Sequence, residues 1–456
     1  MKLAVLGGGG VRSPQLAKSI VAKAKRLGIS EIVFMDNDDE KLSIYGGLSK
    51  KMAQLMDKTI SFKLTTDPIE ALKDADFIIT TLRVGGDRGR ILDERIALSH
   101  GVLGQETTGA GGFAMAMRSI PALKEYCTIA AEYSKPDVII FNFTNPSGLV
   151  TQALRDEGFT NVYGICDGPS EFIKELGKLL GKKDGEISVE CFGLNHLSWF
   201  RSVKVNEEEM LGKLIKNPEL YKSTEMRFFD RELVESTGML LNGYLYYYYY
   251  REQALEHIVE SGTTRGEMIY KINKLMHDEL VKVDIDKDFY KAIEIYIKYY
   301  NMREESYMAI ESKTERGDKK GININLSDED DGGYAGVALN FIDIYVNDRE
   351  GEMVLSVPNN GAIEGLFDND VVEITCNISR GGVEPIKIGK VPEIQFSLIR
   401  QVKLFERLAV LAIKNRDIET ARMALMVHPL INSYSLAKVL VDEYIEAHRE
   451  YIGEWK

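Results

Sequence analysis

The stretch Lys2-Leu3-Ala4-Val5-Leu6-Gly7-Gly8-Gly9-Gly10, answered by Glu31-Ile32-Val33-Phe34-Met35-Asp36, decides the fold. An apolar run enters a glycine turn. A helical segment follows from about Pro14 to Leu27, with proline suited to a first helical turn. A second apolar run then ends on an acid. Glycines let a backbone approach a pyrophosphate, whose charge sits at the helix N-terminus. The glycine run departs from strict G-x-G-x-x-G at its last position, so the informative signal is the order strand, glycines, helix, strand, acid. Gly7, Gly8 and Gly9 are candidate cofactor contacts. Asp36 is a candidate partner for the ribose hydroxyls, and its charge would repel a 2′-phosphate, so NAD is expected over NADP.

Downstream, the pattern repeats. Asp74–Thr81 reads as a buried strand, followed by a polar loop, 83–90, bearing Arg83, Arg88 and Arg90. Arginine suits bidentate recognition of phosphate or carboxylate, although solvated loop charge is equally compatible with the pattern. Gly104–Phe113 reads as a shaped loop, with a helix expected from about Met115 to Tyr133. Three polar knots then follow apolar runs: Thr144-Asn145-Pro146-Ser147-Gly148, Gly164-Ile165-Cys166-Asp167-Gly168-Pro169 and Gly193-Leu194-Asn195-His196-Leu197. Such knots look like strand ends of an open α/β sheet, where ligands bind. Cys166 and His196 offer one soft and one borderline donor, and a divalent transition metal could sit between them with positions open to substrate. The alternative is a buried thiol and a hydrogen-bonded core imidazole.

The chain of 456 residues, 44% of them hydrophobic, can build two domains or one large elaborated α/β unit. A net charge of −13 argues against nucleic acid or anionic lipid as the main partner. No apolar run is long enough to span a membrane, and Lys2–Leu6 begins a strand where an export signal would lie. Cys127, Cys166, Cys191 and Cys376 show no framework spacing, which fits a reducing cytoplasm. Beyond Phe200, residues 205–300 read as mostly helical. The tyrosine run 246–250 covers every helical face and is therefore chiefly packing. Residues 313–332 are charged and read as a loop. Met353–Val357 and Val371–Ile378 read as strands, and about Pro392 to Tyr451 as a helical tail whose apolar face hints at self-association.

These motifs resemble the NAD- and divalent-metal-dependent glycoside hydrolases of family 4, most closely the 6-phospho-β-glucosidases. The likeness runs from the glycine turn to the C-terminal helices and is most specific at Gly104–Phe113, Phe143–Gly148, Cys166–Pro169 and Gly193–His196. It implies a lactate/malate-dehydrogenase-like fold: a Rossmann-type doubly wound sheet over 1–195 and a mixed α+β catalytic and oligomerisation domain over 196–456. It implies hydrolysis without the usual carboxylate pair. NAD withdraws a hydride from C3, the acidified C2 proton is removed, the aglycone is eliminated from C1, water adds, and the hydride returns. Carried over by position, Cys166 and His196 match the ligands of Mn2+ or another divalent metal, and Tyr244 matches the base at C2. Arg90, Asn145 and Arg265 match substrate-binding positions, and Glu106 an acid beside the tyrosine. The implied substrate is a phosphorylated disaccharide or aryl glycoside, and the implied assembly a homodimer or homotetramer.

Two residues depart from the β-acting pattern. Asp167 stands after the cysteine as in α-acting members, where it resembles a general acid for the leaving group, whereas Thr108 stands where those members often carry cysteine. Gly243 precedes Tyr244 where proline is expected, which predicts a looser loop. A 6-phospho-α-glucosidase of the same family is therefore the first alternative. A dehydrogenase of hydroxy acids on the same scaffold is the second, and a nucleotide-sensing module the third.

Overall fold

The computed structural model describes residues 1–183, 185–314, 326 and 335–456. Most of the expected 313–332 loop thus lies outside the described residues. Strands β1 (Lys2–Leu6), β2 (Glu31–Met35), β3 (Ser61–Thr65), β4 (Phe77–Thr80), β5 (Ile139–Asn142) and β6 (Val162–Gly164) pair in parallel in the order β3-β2-β1-β4-β5-β6. The order reverses between β1 and β4, which opens a ligand crevice at the strand C-termini. Leu3, Ala4 and Val5 are wholly buried, as strands covered on both faces must be. Each such leucine or valine contributes roughly 1.5–3 kcal/mol.

Strands β7 (Ile187–Leu194) and β8 (Leu197–Val205) form an antiparallel hairpin in a second sheet, joined by β9 (Glu208–Glu209) and β10 (Leu240–Leu241). Then β11 (Gly351–Pro358), β12 (Val371–Ser379) and β13 (Gly382–Pro385) return to the first sheet, where β11 lies antiparallel beside β6. The third polar knot is therefore the turn of an antiparallel hairpin and not a parallel strand end. A division at 195/196 falls inside that turn, and strands from the second half complete the first sheet.

Two helices begin earlier than the sequence pattern indicates. The helix expected from Met115 runs from Gly109 to Tyr133. A Cβ on Gly111 would sit 2.3 Å from the Gln105 carbonyl oxygen, so these glycines serve close packing within a helix. The expected arginine loop becomes helical at Gly86, so Arg88 and Arg90 project from the helix Gly86–Ser99. The tail forms helices Glu393–Asn415, Ile418–Val427 and Tyr434–Ile452.

The last of these helices is tied to the first half by a buried polar cluster. Asp93 accepts from Arg118 through both oxygens, at 2.8 and 2.6 Å, and lies 2.7 Å from His448 Nε2. A smaller core packs Tyr45, Leu48 and Met52 against Met276, Phe289 and Tyr296, docking the helices of 265–305 beside the glycine-turn half. Among the described residues no helix is long and apolar enough to cross a membrane.

Candidate active site

At the β1 end, the Gly7 and Gly8 amides donate to the Met35 carbonyl at 2.9 and 2.8 Å, folding the turn back onto β2. Gly7 has φ +97°, and a side chain there would strike the Thr81 backbone at 2.6 Å. Gly8 lies as close to Phe34, where a Cβ would come within 2.6 Å of the phenylalanine Cβ. Asp36 closes β2 and accepts from the Gly9 and Asp38 amides at 2.9 and 3.1 Å. Burial raises its carboxyl pKa against the pull of those amides. Glycine turn, helix start at Ser13 and acid thus meet in the arrangement that a dinucleotide needs, and a larger side chain is excluded from the turn.

The second cluster forms where the β5, β6 and β7–β8 connections converge. Cys166 precedes the helix Asp167–Leu180, and His196 holds the hairpin turn at φ +64°. Cys166 Sγ lies 3.5 Å from His196 Nε2. Two donors about 2.3 and 2.0–2.1 Å from one ion at a tetrahedral angle are separated by about this distance. Burial pushes the Cys166 thiol well up and the His196 imidazole down to about 4. The imidazole is therefore a neutral donor at ordinary pH, and a bound cation is what would make the thiolate favourable. Among the described residues, His196 Nδ1 is buried without a hydrogen-bond partner. Among the described residues no group of three metal-ligating side chains occurs. The chain thus fits a divalent ion through this pair, with the remaining positions open to substrate or water.

Tyr244 lies flat on the imidazole, with ring centroids 3.8 Å apart and planes within 5°. Burial raises its phenol pKa, and a hydrogen bond from Tyr307 opposes the rise. The loop before it is not loose. Gly243 donates to Glu225 at 3.1 Å, a bond proline cannot make, and a Cβ there would come within 2.6 Å of the carboxylate. The Asn242 side chain caps the Tyr244 amide at 3.0 Å. The other tyrosines pack: Tyr246 and Tyr247 bond to Glu311, Tyr250 to Asp230, and Tyr248 to Thr108 at 2.5 Å.

Glu106 is the hub of the cationic side. Arg83 lies 2.5 Å and Arg90 3.1 Å from its Oε2. Burial alone would raise this carboxyl, yet Arg83, Arg90 and Arg265 hold it well below the usual range. Arg90 is itself buried, pairs with Glu94 at 2.7 Å, and Glu94 accepts from the Gly266 amide at 2.8 Å. That link draws the start of the helix Arg265–Leu280 to the site. Arg265 bonds to the Ser306 carbonyl and hydroxyl and lies 5.2 Å over the Tyr307 ring. Asn145 sits half-buried after β5, ahead of a cis bond to Pro146, and among the described residues makes no side-chain hydrogen bond to the cluster. Asp167 faces Arg12 of the glycine turn at 3.5 Å, with its side chain partly exposed.

The structure therefore brings Cys166, His196 and Tyr244 into contact, and gathers Glu106, Arg90 and Arg265 beside them. Sequence reasoning missed Glu94, Asn242, Tyr307 and Glu373. For Glu373 a signal existed, since it is the charged residue inside the apolar run Val371-Val372-Glu373-Ile374.

These features define an enzyme of the dinucleotide-binding α/β class, with a thiol–imidazole donor pair under a buried phenol. The chain belongs to glycosyl hydrolase family 4: the family's model matches residues 2–182 and the model of its C-terminal domain residues 191–431. A probable 6-phospho-beta-glucosidase of Bacillus subtilis is 31% identical, with 100% of this chain and 98% of that protein covered. The 6-phospho-beta glucosidase of Thermotoga maritima, solved with manganese, NAD+ and glucose-6-phosphate, is 29% identical at a TM-score of 0.82, covering 99% of both chains. A 6-phospho-alpha-glucosidase from gut microorganisms, solved with NAD and glucose-6-phosphate, is 28% identical at a TM-score of 0.80, covering 100% of this chain and 99% of that one. A lactate dehydrogenase from a deep-sea metagenome shares the fold at a TM-score of 0.53 and 14% identity, over 91% of this chain and 98% of its own.

Proposed function

We propose that this chain hydrolyses 6-phospho-β-glucosides to glucose 6-phosphate and an aglycone, using NAD and Mn2+ or a similar divalent ion. The observation that carries the reading is the Tyr244 phenol stacked on the imidazole of the Cys166–His196 pair. When bound, a nicotinamide would supply reversible oxidation at a sugar carbon, and a divalent cation would supply Lewis-acid polarisation of the carbonyl so formed.

The chain's own groups do the rest. Cys166 and His196 would hold the cation, and Tyr244 stacks on the imidazole of that pair. Tyr244 takes the C2 proton, and a cation held beside it would lower the phenol pKa that burial has raised. The hydrogen bond from Tyr307 favours the ionised phenol in the same sense. Arg90, Arg265 and Asn145 bind the sugar phosphate. Glu106 fixes the arginine fork: a carboxylate held so far below its usual range keeps its charge and does not accept the proton itself. Gly7, Gly8, Gly9 and Asp36 hold the dinucleotide. We assign cofactor binding chiefly to residues 1–195, and catalysis and assembly as a homodimer or homotetramer to 196–456, in the cytoplasm.

One observation favours the α-anomer: Asp167 adjoins the donor pair, where it could protonate a leaving group. Burial raises the Asp167 pKa in the same sense, and Arg12, 3.5 Å away, opposes that rise. Chromogenic 6-phospho-β- and 6-phospho-α-glucosides, assayed side by side with and without NAD and Mn2+, test the reading. The expected result is β-cleavage dependent on both additions. α-Cleavage alone would move the assignment to the alternative. Full rate after removal of both cofactors, or net NADH formation from a hydroxy acid, would overturn it.

A further inference from the structure

The side of the site opposite the arginines is organised by a buried carboxylate on β12. Glu373 is 2% exposed. Its Oε1 accepts from the Ser198 hydroxyl at 2.9 Å and its Oε2 from Asn195 Nδ2 at 2.9 Å. Both bonds extend further. Asn195 Oδ1 accepts from the Gly148 amide at 3.3 Å, in the first turn of the helix Ser147–Asp156 that directly follows Asn145 and Pro146, and the Asn195 side chain lies beside the Cys166 thiol. Ser198 Oγ accepts from Asn242 Nδ2 at 3.1 Å, and Asn242 Oδ1 accepts from the Tyr244 amide at 3.0 Å.

Direction matters in such a chain. Burial raises the Glu373 pKa to about 7, and the hydrogen bonds from Asn195 and Ser198 oppose that rise and favour the ionised form. When ionised the carboxylate only accepts, whereas a hydroxyl or a primary amide can face either way. With acceptor oxygens at its root, the Asn195 amide must present its NH2 to Glu373, which leaves its carbonyl for Gly148. Ser198 must donate to Glu373, so its lone pairs face Asn242. That in turn aims the Asn242 carbonyl at the Tyr244 amide. The ionised carboxylate at one end and the Gly148 and Tyr244 amides at the other, which can only donate, together leave two side-chain amides and a hydroxyl a single consistent setting.

We propose that Glu373 is a positioning residue that orients the site along two separable arms. The Asn195 arm holds the Cys166–His196 pair and the helix start after Asn145 in register. The Ser198–Asn242 arm holds the loop bearing Tyr244. Glu373 is buried and spends both oxygens on Asn195 and Ser198, and its role rests on the site assignment proposed above.

The test uses the full-length protein and has one readout that does not depend on activity. Mn2+ binding is titrated by the EPR signal of the free ion, while kcat and KM are measured on a 6-phospho-β-glucoside. Ser198→Ala is expected to lower kcat at least tenfold and to leave Mn2+ affinity within threefold of wild type. Asn195→Ala is expected to weaken Mn2+ binding roughly 10–100-fold, as loss of a group that orients a metal ligand does. Glu373→Ala should show both defects, and Glu373→Gln, which keeps one acceptor, a milder form of each. If Glu373→Ala fails to fold, the split between the Ser198 and Asn195 variants decides. Variants that lower thermal stability alone, with Mn2+ affinity and kcat per folded molecule unchanged, would overturn the proposal. Wild-type protein that binds Mn2+ but cleaves no phosphoglucoside would refute the activity while leaving the metal arm testable by EPR, and absence of Mn2+ binding would refute both.

Discussion

Replacing Tyr244 by phenylalanine separates the chemistry of the site from its architecture. The ring that stacks on His196 at 3.8 Å is retained and only the hydroxyl is lost. That hydroxyl has the Tyr307 bond to lose, and a single hydrogen bond contributes about 0.5–1.5 kcal/mol net. In a chain this long such a change moves the melting temperature by no more than about 4 °C. The metal donors are untouched, so Mn2+ affinity should stay within threefold of wild type. A positioned base, by contrast, is worth roughly 10²–10⁴ in rate. At 1.36 kcal/mol per decade this is about 3–5 kcal/mol of barrier, several times the stability change. The assay is steady-state cleavage of a 6-phospho-β-glucoside carrying deuterium at C2, with product analysed by mass spectrometry. Wild-type protein should wash the label into solvent, and the variant should cleave at least a hundredfold more slowly. A variant with kcat within threefold of wild type, or wild-type product that retains the label, would refute the assignment of Tyr244 as base.

Three further outcomes are expected. Asp36→Ala removes a charged acceptor at the end of β2; bonds to charged groups are worth about 1.5–3 kcal/mol, so calorimetry should show NAD binding weakened roughly 10–100-fold, and unchanged affinity would place the dinucleotide elsewhere. Burial pushes the His428 imidazole down from 6.5 to about 3, so in that window the unfolded chain takes up a proton that the folded one refuses, and stability falls as the pH drops. Between pH 6.5 and about pH 4.5 this amounts to about 2 kcal/mol, which His428→Asn should remove from the urea-measured acid dependence; an identical slope in the variant would contradict it. Arg118→Met leaves Asp93 without its bidentate partner and should cost about 3–5 kcal/mol by denaturant unfolding, because a buried charge loses its compensation, whereas a loss below about 1 kcal/mol would show that His448 suffices.

The half of the fold built from local signals was legible in the order of residues alone. Alternating apolar runs and glycine turns fix the parallel strands, because each strand, turn and helix is specified within a few tens of residues. The sequence also supplied every residue of the Cys166–His196–Tyr244 stack, through motifs that the family resemblance made readable. What only the tertiary structure decided depends on contacts between distant segments. The return of Gly351–Pro358 beside Val162–Gly164 is such a contact, as is the antiparallel setting of the His196 turn. The tightness of the Gly243 loop comes from Glu225, and the clamp on Glu106 from arginines on two helices and a loop. Glu373 is the clearest case. A lone acid in an apolar strand reads locally as an anomaly, and it acquires a role only when folding places Asn195 and Ser198 against its two oxygens. Burial is the physical reason. A carboxyl in water is indifferent to which way its neighbours face, but one withdrawn from water must have its hydrogen bonds supplied by the protein, and so constrains their direction.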